Sequence, residues 1–261
     1  MTPIQFVKDR FGRYHFLLSE LIKRDFNSKY KRTYLGVMWS LINPLAHVLI
    51  MTLVFVHFFG SRTPNFVIHV FSGQLIFGFF SSATNQGMSS LSGNAGLITK
   101  VSMPKWIFLI SKNMASLIEL LTTLVIFFIF VAIEGIAFRP QFLLLVYPIM
   151  TLILFNIGVG LILSVWHVFF KDVGYLYSIF TQLLMFMSAI FWPIENFSQD
   201  TQRLFMFNPI FAHIHYFRLV VLHGLVPTAN VHLLLLGFAI APLVIGSLLY
   251  KKYNGRLVYY M

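Results

Sequence analysis

Apolar residues run along the chain in long blocks, and polar residues gather in the gaps between them. A helix needs about 20 mainly apolar residues to cross about 30 Å of hydrocarbon at about 1.5 Å per residue. Six blocks approach or exceed that length, near residues 34 to 59, 67 to 90, 107 to 134, 142 to 167, 176 to 193 and 229 to 250. The breaks fall at 61 to 65, 93 to 105, 135 to 141, 170 to 174 and 195 to 230. Only the last is long, and its own apolar stretches predict short interfacial or re-entrant helices over about 195–228 rather than loose loop. Within the first block, Gly36 predicts a bend or a close helix approach. Pro44 removes a backbone donor and predicts a kink, leaving carbonyls near residue 40 to Asn43 or water.

Ahead of the first block the pattern changes. Val7, Phe11, Tyr14, Leu18 and Leu21 recur at alternating spacings of four and three, which puts them on one helical face, with Lys8, Asp9, Arg13, Glu20 and Lys23 between them. This predicts an amphipathic helix lying in the cytoplasmic interface, either a topological anchor or a partner contact. Residues 1–33 are therefore read as an interface region and 34–261 as the membrane domain. No apolar run precedes residue 33, so the first span is expected to direct insertion itself.

Composition agrees: 58% of residues are hydrophobic and 10% charged, too little polar surface for a water-facing fold. The expected class is an all-α integral membrane protein with six transmembrane helices. Cysteine is absent, which removes disulfides and thiolate metal sites. The net charge of +11 could suggest nucleic acid, but membrane orientation explains its distribution better. Placing both termini and the second and fourth breaks on one side leaves only Arg62, Arg139, Arg203 and Arg218, of 19 Lys and Arg, on the other. Both termini are thus expected in the cytoplasm.

Candidate chemistry is sparse. Glu119 is the one acid well inside a block, on a stripe with Ser116 and Thr123 that must meet protein or water. It either lines a path or bonds a neighbouring helix. No HExxH or GxSxG occurs, and no group holds a metal or acts as a catalyst in this reading. His213 and His215, two apart on a helix, point to nearly opposite sides and read as interfacial packing. The break SGNAGLITKVSMPKW carries a short amphipathic centre of Leu97, Ile98, Lys100 and Val101 closed by Pro104, which fits a short helix parallel to the membrane. The fifth block mixes rings with polar groups, including Tyr177, Phe180, Gln182 and Phe186, a wall along which a sugar could slide.

IKRDFNSKYKRTYLGVMWSLINP, NAGLITKVSMPKW, FFKDVGYLYSIFTQLLMFMSAIFWPIENF and FNPIFAHIHYFRLVVLHG stand in the order and spacing of the ABC-2 type permeases that export O-antigen, capsule and teichoic acid. The chain resembles that family over essentially all of its length. The resemblance implies a bacterial inner-membrane homodimer paired with two copies of a separate ATPase, which supplies ATP and magnesium. No GxxxxGK[ST] loop occurs here. It further implies a polyprenyl-diphosphate-linked polysaccharide as substrate. Lys29, Lys31 and Arg32, with Lys23 and Arg24 behind them, become candidate diphosphate contacts. Trp39, Asn43, Tyr177, Phe180, Gln182 and Phe186 become candidates for the glycan path. The interface helix and a coupling helix at about 94–104, with Asn94, Leu97, Ile98, Lys100 and Pro104, become candidate ATPase contacts. The competing readings are an ABC-2 exporter of a smaller lipid or drug, and an ATP-independent membrane enzyme or flippase acting on lipid-linked sugar.

Overall fold

The structure, a computed structural model, describes residues 3–30, 33–57, 65–100, 103–194 and 197–260 of the 261. Lys31, Arg32, Arg62 and Val101 lie outside the described residues, as do the side chains of Val7 and Phe11. The described chain is helical, with no strand: α1 (Pro3–Tyr30), α2 (Trp39–His57), α3 (Phe66–Met88), α4 (Ala95–Ile98), α5 (Trp106–Ile133), α6 (Val146–Phe169), α7 (Val173–Phe186), α8 (Gln199–Phe205), α9 (Pro209–Val221) and α10 (Ala229–Tyr253). Tight helical turns over Ser92–Asn94 and Pro140–Leu145 lead into α4 and α6.

Among the described residues, four stretches are long and apolar enough to cross a membrane: α3, α5, Pro140–Phe169 and α10. The α8–α9 pair, bent by 110°, makes a fifth if taken as one broken span. The block expected at 34 to 59 forms α2, apolar over its described run Trp39–Ile50, and the one expected at 176 to 193 forms the shorter apolar helix Val173–Phe186. Helix α3 is the centre of the bundle, with 72% of its most apolar window buried against 17% for α10. Phe71, Ile76 and Phe80 fill the space toward α5, α6 and α9. Burying such a side chain contributes about 1.5–3 kcal/mol, although in lipid the gain comes from packing rather than from escape from water.

Helix α7 stops at Phe186, short of the expected end, and Pro193 disfavours its continuation. In a continuing helix the Ala189 carbonyl would accept from residue 193, which is proline and has no N–H. The chain turns instead, with Ala189 in the left-handed region at φ 47°. Side chains of the following segment replace the missing backbone donors. Arg218 Nη1 donates to Ala189 O (2.9 Å), and Nη2 to Ile190 O (3.1 Å) and His69 O (2.9 Å), while Nε donates to Ser72 Oγ (3.3 Å). Asn208 Nδ2 donates to Met187 O (3.0 Å), and its Oδ1 caps α9 by accepting from the N–H groups of Ile210 and Phe211. Arg218, assigned from charge alone to the outer face, is thus a buried strut at 6% exposure. His213 is also buried rather than interfacial. Its Nε2 meets Thr151 Oγ1 at 3.1 Å and its Nδ1 meets Pro209 O at 2.7 Å.

Helices α6 and α10 cross in close contact through two glycines. A Cβ on Gly158 would overlap the backbone of Pro242 and Leu243, and one on Gly246 would lie 2.5 Å from the Gly158 carbonyl oxygen. Gly36 adopts φ 50° with open space where a Cβ would lie, so it serves the turn into α2 rather than a close approach. A second apolar cluster joins Leu21 of α1, Ile98, Phe108 of α5, Val168 of α6 and Leu257 of the C-terminal tail. Beside it Lys105 Nζ donates to Asn254 O at 2.7 Å, and burial holds that ammonium below the usual lysine range.

Two substitutions test these contacts. Gly158→Val is expected to cost about 2 kcal/mol or more by overpacking, read as a lowered melting temperature in detergent, with Gly158→Ala intermediate. Arg218→Met is expected to cost about 3 kcal/mol through its stranded carbonyls. In the same assay Arg218→Lys, which keeps part of the donor set, is expected to recover part of the loss.

Candidate functional site

One face of α3 carries Gln74, Gly78, Ser81, Ser82, Asn85 and Gln86, spaced by three and four so that small and polar groups align. This stripe borders two of three cavities that meet at Lys29. One of about 290 Å³ lies between α2, α3 and α5, with Asn43, Pro44 and His47 opposite Gln74, Ser82 and Glu119. One of about 400 Å³ is bounded by Lys29, Thr33, Trp39, Ser40, Asn43, Pro44 and Glu119. The widest, about 670 Å³, opens between α1, α3 and α5 and reaches Met185 of α7. Gln74 Nε2 is buried here and makes no hydrogen bond to protein.

Lys29, in the last turn of α1, donates to Glu119 Oε2 at 2.8 Å across 90 residues of sequence. Ser82 Oγ approaches the same oxygen at 3.4 Å. Gln86 Nε2 donates to Ser82 Oγ (2.9 Å) and Ser116 Oγ (3.0 Å), so α3 and α5 are stitched together beneath the carboxylate. The pair is asymmetric: the Lys29 side chain is 46% exposed and that of Glu119 17%. Thr123, the third member of the stripe, donates to the Glu119 backbone carbonyl at 2.9 Å. The stripe therefore both bonds neighbouring helices and lines a cavity.

One turn earlier on α1, Asp25 is a buried carboxylate, its side chain 2% exposed. It accepts from Arg24 Nη2 (2.8 Å), Lys112 Nζ (3.0 Å) and Ser111 Oγ (2.9 Å). The same Arg24 nitrogen donates to Asn94 Oδ1 at 2.9 Å, and Asn94 Nδ2 donates to Ser90 O at 2.8 Å. Charge-assisted bonds thus tie α1, the Ser92–Asn94 turn and α5 into one unit.

The structure brings together Lys29, Trp39, Asn43 and Glu119 around one opening. Lys23 sits apart, paired with Glu20 at 2.9 Å on the exposed side of α1. On α7, Tyr177 is buried and donates to Thr84 Oγ1 at 2.6 Å, whereas Phe180, Gln182 and Phe186 are exposed. None of these four lines the three cavities around Lys29. In the 92–104 segment Asn94 and Ile98 are buried, Leu97 and Lys100 are exposed, and Pro104 is half-buried. Sequence reasoning missed Asp25 and the α3 stripe. The regular spacing of Gln74, Gly78, Ser82 and Gln86 could have revealed the stripe.

The sequence profile of the ABC-2 type transporter family matches residues 17–222. The chain is similar to the O-antigen export system permease protein RfbA of Myxococcus xanthus, with 25% identity over 87% of this chain and 88% of that one. It is 23% identical to RfbA of Klebsiella pneumoniae over 96% of both chains. It is 24% identical to the polysialic acid transport protein KpsM of Escherichia coli, over 88% of this chain and 91% of that one.

Asp25→Ala is expected to leave Lys112 and Arg24 crowded without their carboxylate and to cost about 3 kcal/mol. The expected readout is faster proteolysis within α1, with Lys112→Ala milder because Arg24 still pairs with Asp25.

Proposed function

The chain belongs to the ABC-2 type transporter family, and on that premise we propose that it is the membrane-spanning permease subunit of an ATP-driven exporter of cell-surface polysaccharide. The observation that carries this reading is similarity along nearly the whole chain to permeases named for O-antigen and polysialic acid transport. It is a multi-pass protein of the inner membrane and a transport subunit rather than an enzyme. ATP and magnesium act in a separate ATPase partner. Two copies of the chain pair with two ATPase subunits, and each copy crosses the membrane six times with both termini in the cytoplasm. Helix α2 and the shorter α7 serve as the first and fifth crossings, and α1 lies in the cytoplasmic interface.

The substrate is a polysaccharide on a polyprenyl diphosphate. Its headgroup arrives at Lys29, with Lys31 and Arg32 beside it in sequence and Arg24 behind. Two features support this: the partly exposed Lys29 ammonium stands where three cavities meet, and neutral polar residues line the opening. The glycan then follows Trp39 and Asn43, and the exposed face of α7 with Phe180, Gln182 and Phe186 borders its path. Aromatic faces and amides hold sugars weakly enough to release them. The ATPase docks on α1 and on the exposed Leu97 and Lys100. Arg24 and Asn94 link that surface to Asp25 and α5, so displacement of the short helix is delivered to the wall of the cavity.

Replacing Lys29, Lys31 and Arg32 together by alanine is expected to leave the protein inserted while lowering surface glycan at least about tenfold, the loss of several charge-assisted bonds. Cell-surface labelling and membrane fractionation read the two quantities separately. Unchanged surface glycan would remove the headgroup role, and failed insertion would assign the cations to orientation alone.

A further inference from the structure

We propose that Glu119 determines which anions Lys29 accepts, acting as a built-in competitor that yields to a diphosphate and holds against singly charged phospholipid headgroups. This rests on the reading that Lys29 receives the lipid diphosphate. The geometry has three parts. The cation is half exposed and faces the opening, while the carboxylate lies deeper at 17% exposure, so an arriving anion meets Lys29 first. The carboxylate has a second contact, from Ser82 Oγ at 3.4 Å, and Ser82 is itself held by Gln86 and Ser116, so the carboxylate keeps this partner when the lysine moves. The cavity of about 400 Å³ beside the pair is lined by the neutral polar residues Thr33, Ser40 and Asn43, and the Asn43 amide can donate to oxygens that Lys29 does not reach.

The need for such a competitor follows from the surroundings. An exposed lysine beside a membrane surface meets anionic phospholipid at high local concentration. Without a partner it would stay occupied by bulk lipid. With Glu119 at 2.8 Å, a phosphodiester carrying one negative charge must trade one monoanion for another and forfeit the existing contact, so exchange gains little. A diphosphate carries more than one charge and several acceptor oxygens. It out-attracts the carboxylate for the same ammonium and uses the Asn43 amide as well. Selectivity here comes from a repulsive and competing element rather than from a better attractive one.

The test uses the whole transporter, this chain with its ATPase, in phosphatidylethanolamine vesicles with or without about one-third phosphatidylglycerol. The probe is a polyprenyl diphosphate, and the readout is the concentration giving half-maximal stimulation of ATP hydrolysis. For the unmodified protein that concentration is expected to be the same in both vesicles. For Glu119→Gln it is expected to rise about fivefold in the phosphatidylglycerol vesicles only, the scale of one partly exposed ion pair. Glu119→Asp, one methylene shorter with its charge kept, is expected to fall between. Native mass spectra give a second readout independent of turnover: Glu119→Gln is expected to retain more bound phosphatidylglycerol through purification than the unmodified protein.

Equal phosphatidylglycerol sensitivity and equal lipid retention in Glu119→Gln and the unmodified protein would overturn the proposal. Lys29→Ala separates the two levels. If it loses the diphosphate response while Glu119→Gln stays insensitive to phosphatidylglycerol, the competitor role alone fails. If Lys29→Ala responds normally, the headgroup reading fails and the proposal with it.

Discussion

The Arg218 guanidinium holds three separated parts of the bundle in one place. It joins α9, the start of α3 and the turn after α7, donating to backbone carbonyls that water would satisfy outside a membrane. In hydrocarbon an irregular stretch of backbone is tolerated only where protein supplies its hydrogen bonds. The turn after residue 186 depends on that supply. Pro193 cannot donate to the Ala189 carbonyl, Ala189 adopts a left-handed conformation, and Arg218 and Asn208 provide the donors that the turn lacks. With the turn fixed, α8 and α9 meet at 110°, and α9 is threaded into the core beside α3.

At the other end, charge fixes register instead. Helix α1 meets α5 through two rungs of opposite sense: Asp25 of α1 against Lys112, and Lys29 of α1 against Glu119. Sliding α1 by one turn would set Asp25 against Glu119 or Lys29 against Lys112. Like charges at contact distance in a partly buried site cost far more than an apolar mismatch, so only one alignment is stable. The polar stripe of α3 lies against this ladder and leaves the space around Lys29 open. A bundle packed only with leucine and phenylalanine would have closed it.

Much of this was legible beforehand. Block lengths and composition gave an all-helical membrane protein, and α3, α5, α6 and α10 fall where the apolar blocks stand. The stripe of Ser116, Glu119 and Thr123 was visible because an acid inside an apolar block has few explanations. Other features were hidden for identifiable reasons. Asp25 sits in a run of charged residues and looks solvated, although tertiary packing buries it beneath Lys112. The α3 stripe is built from serine, asparagine, glutamine and glycine, which barely lower the apolar character of a span. Arg218 was counted toward orientation because a charge tally registers sign and not burial. Tyr177 looked like its exposed neighbours on α7, and only the position of Thr84 distinguishes it.

The Arg218 contacts also constrain the order in which the protein can be made. The Ala189 and Ile190 carbonyls receive this donor from residues 29 and 28 positions further along the chain. When α7 has just been synthesised, the residue that completes its turn has not. The turn after α7 therefore cannot be completed before α9 is made. The turn and α9 are thus completed together, as one late step in the assembly of the fold.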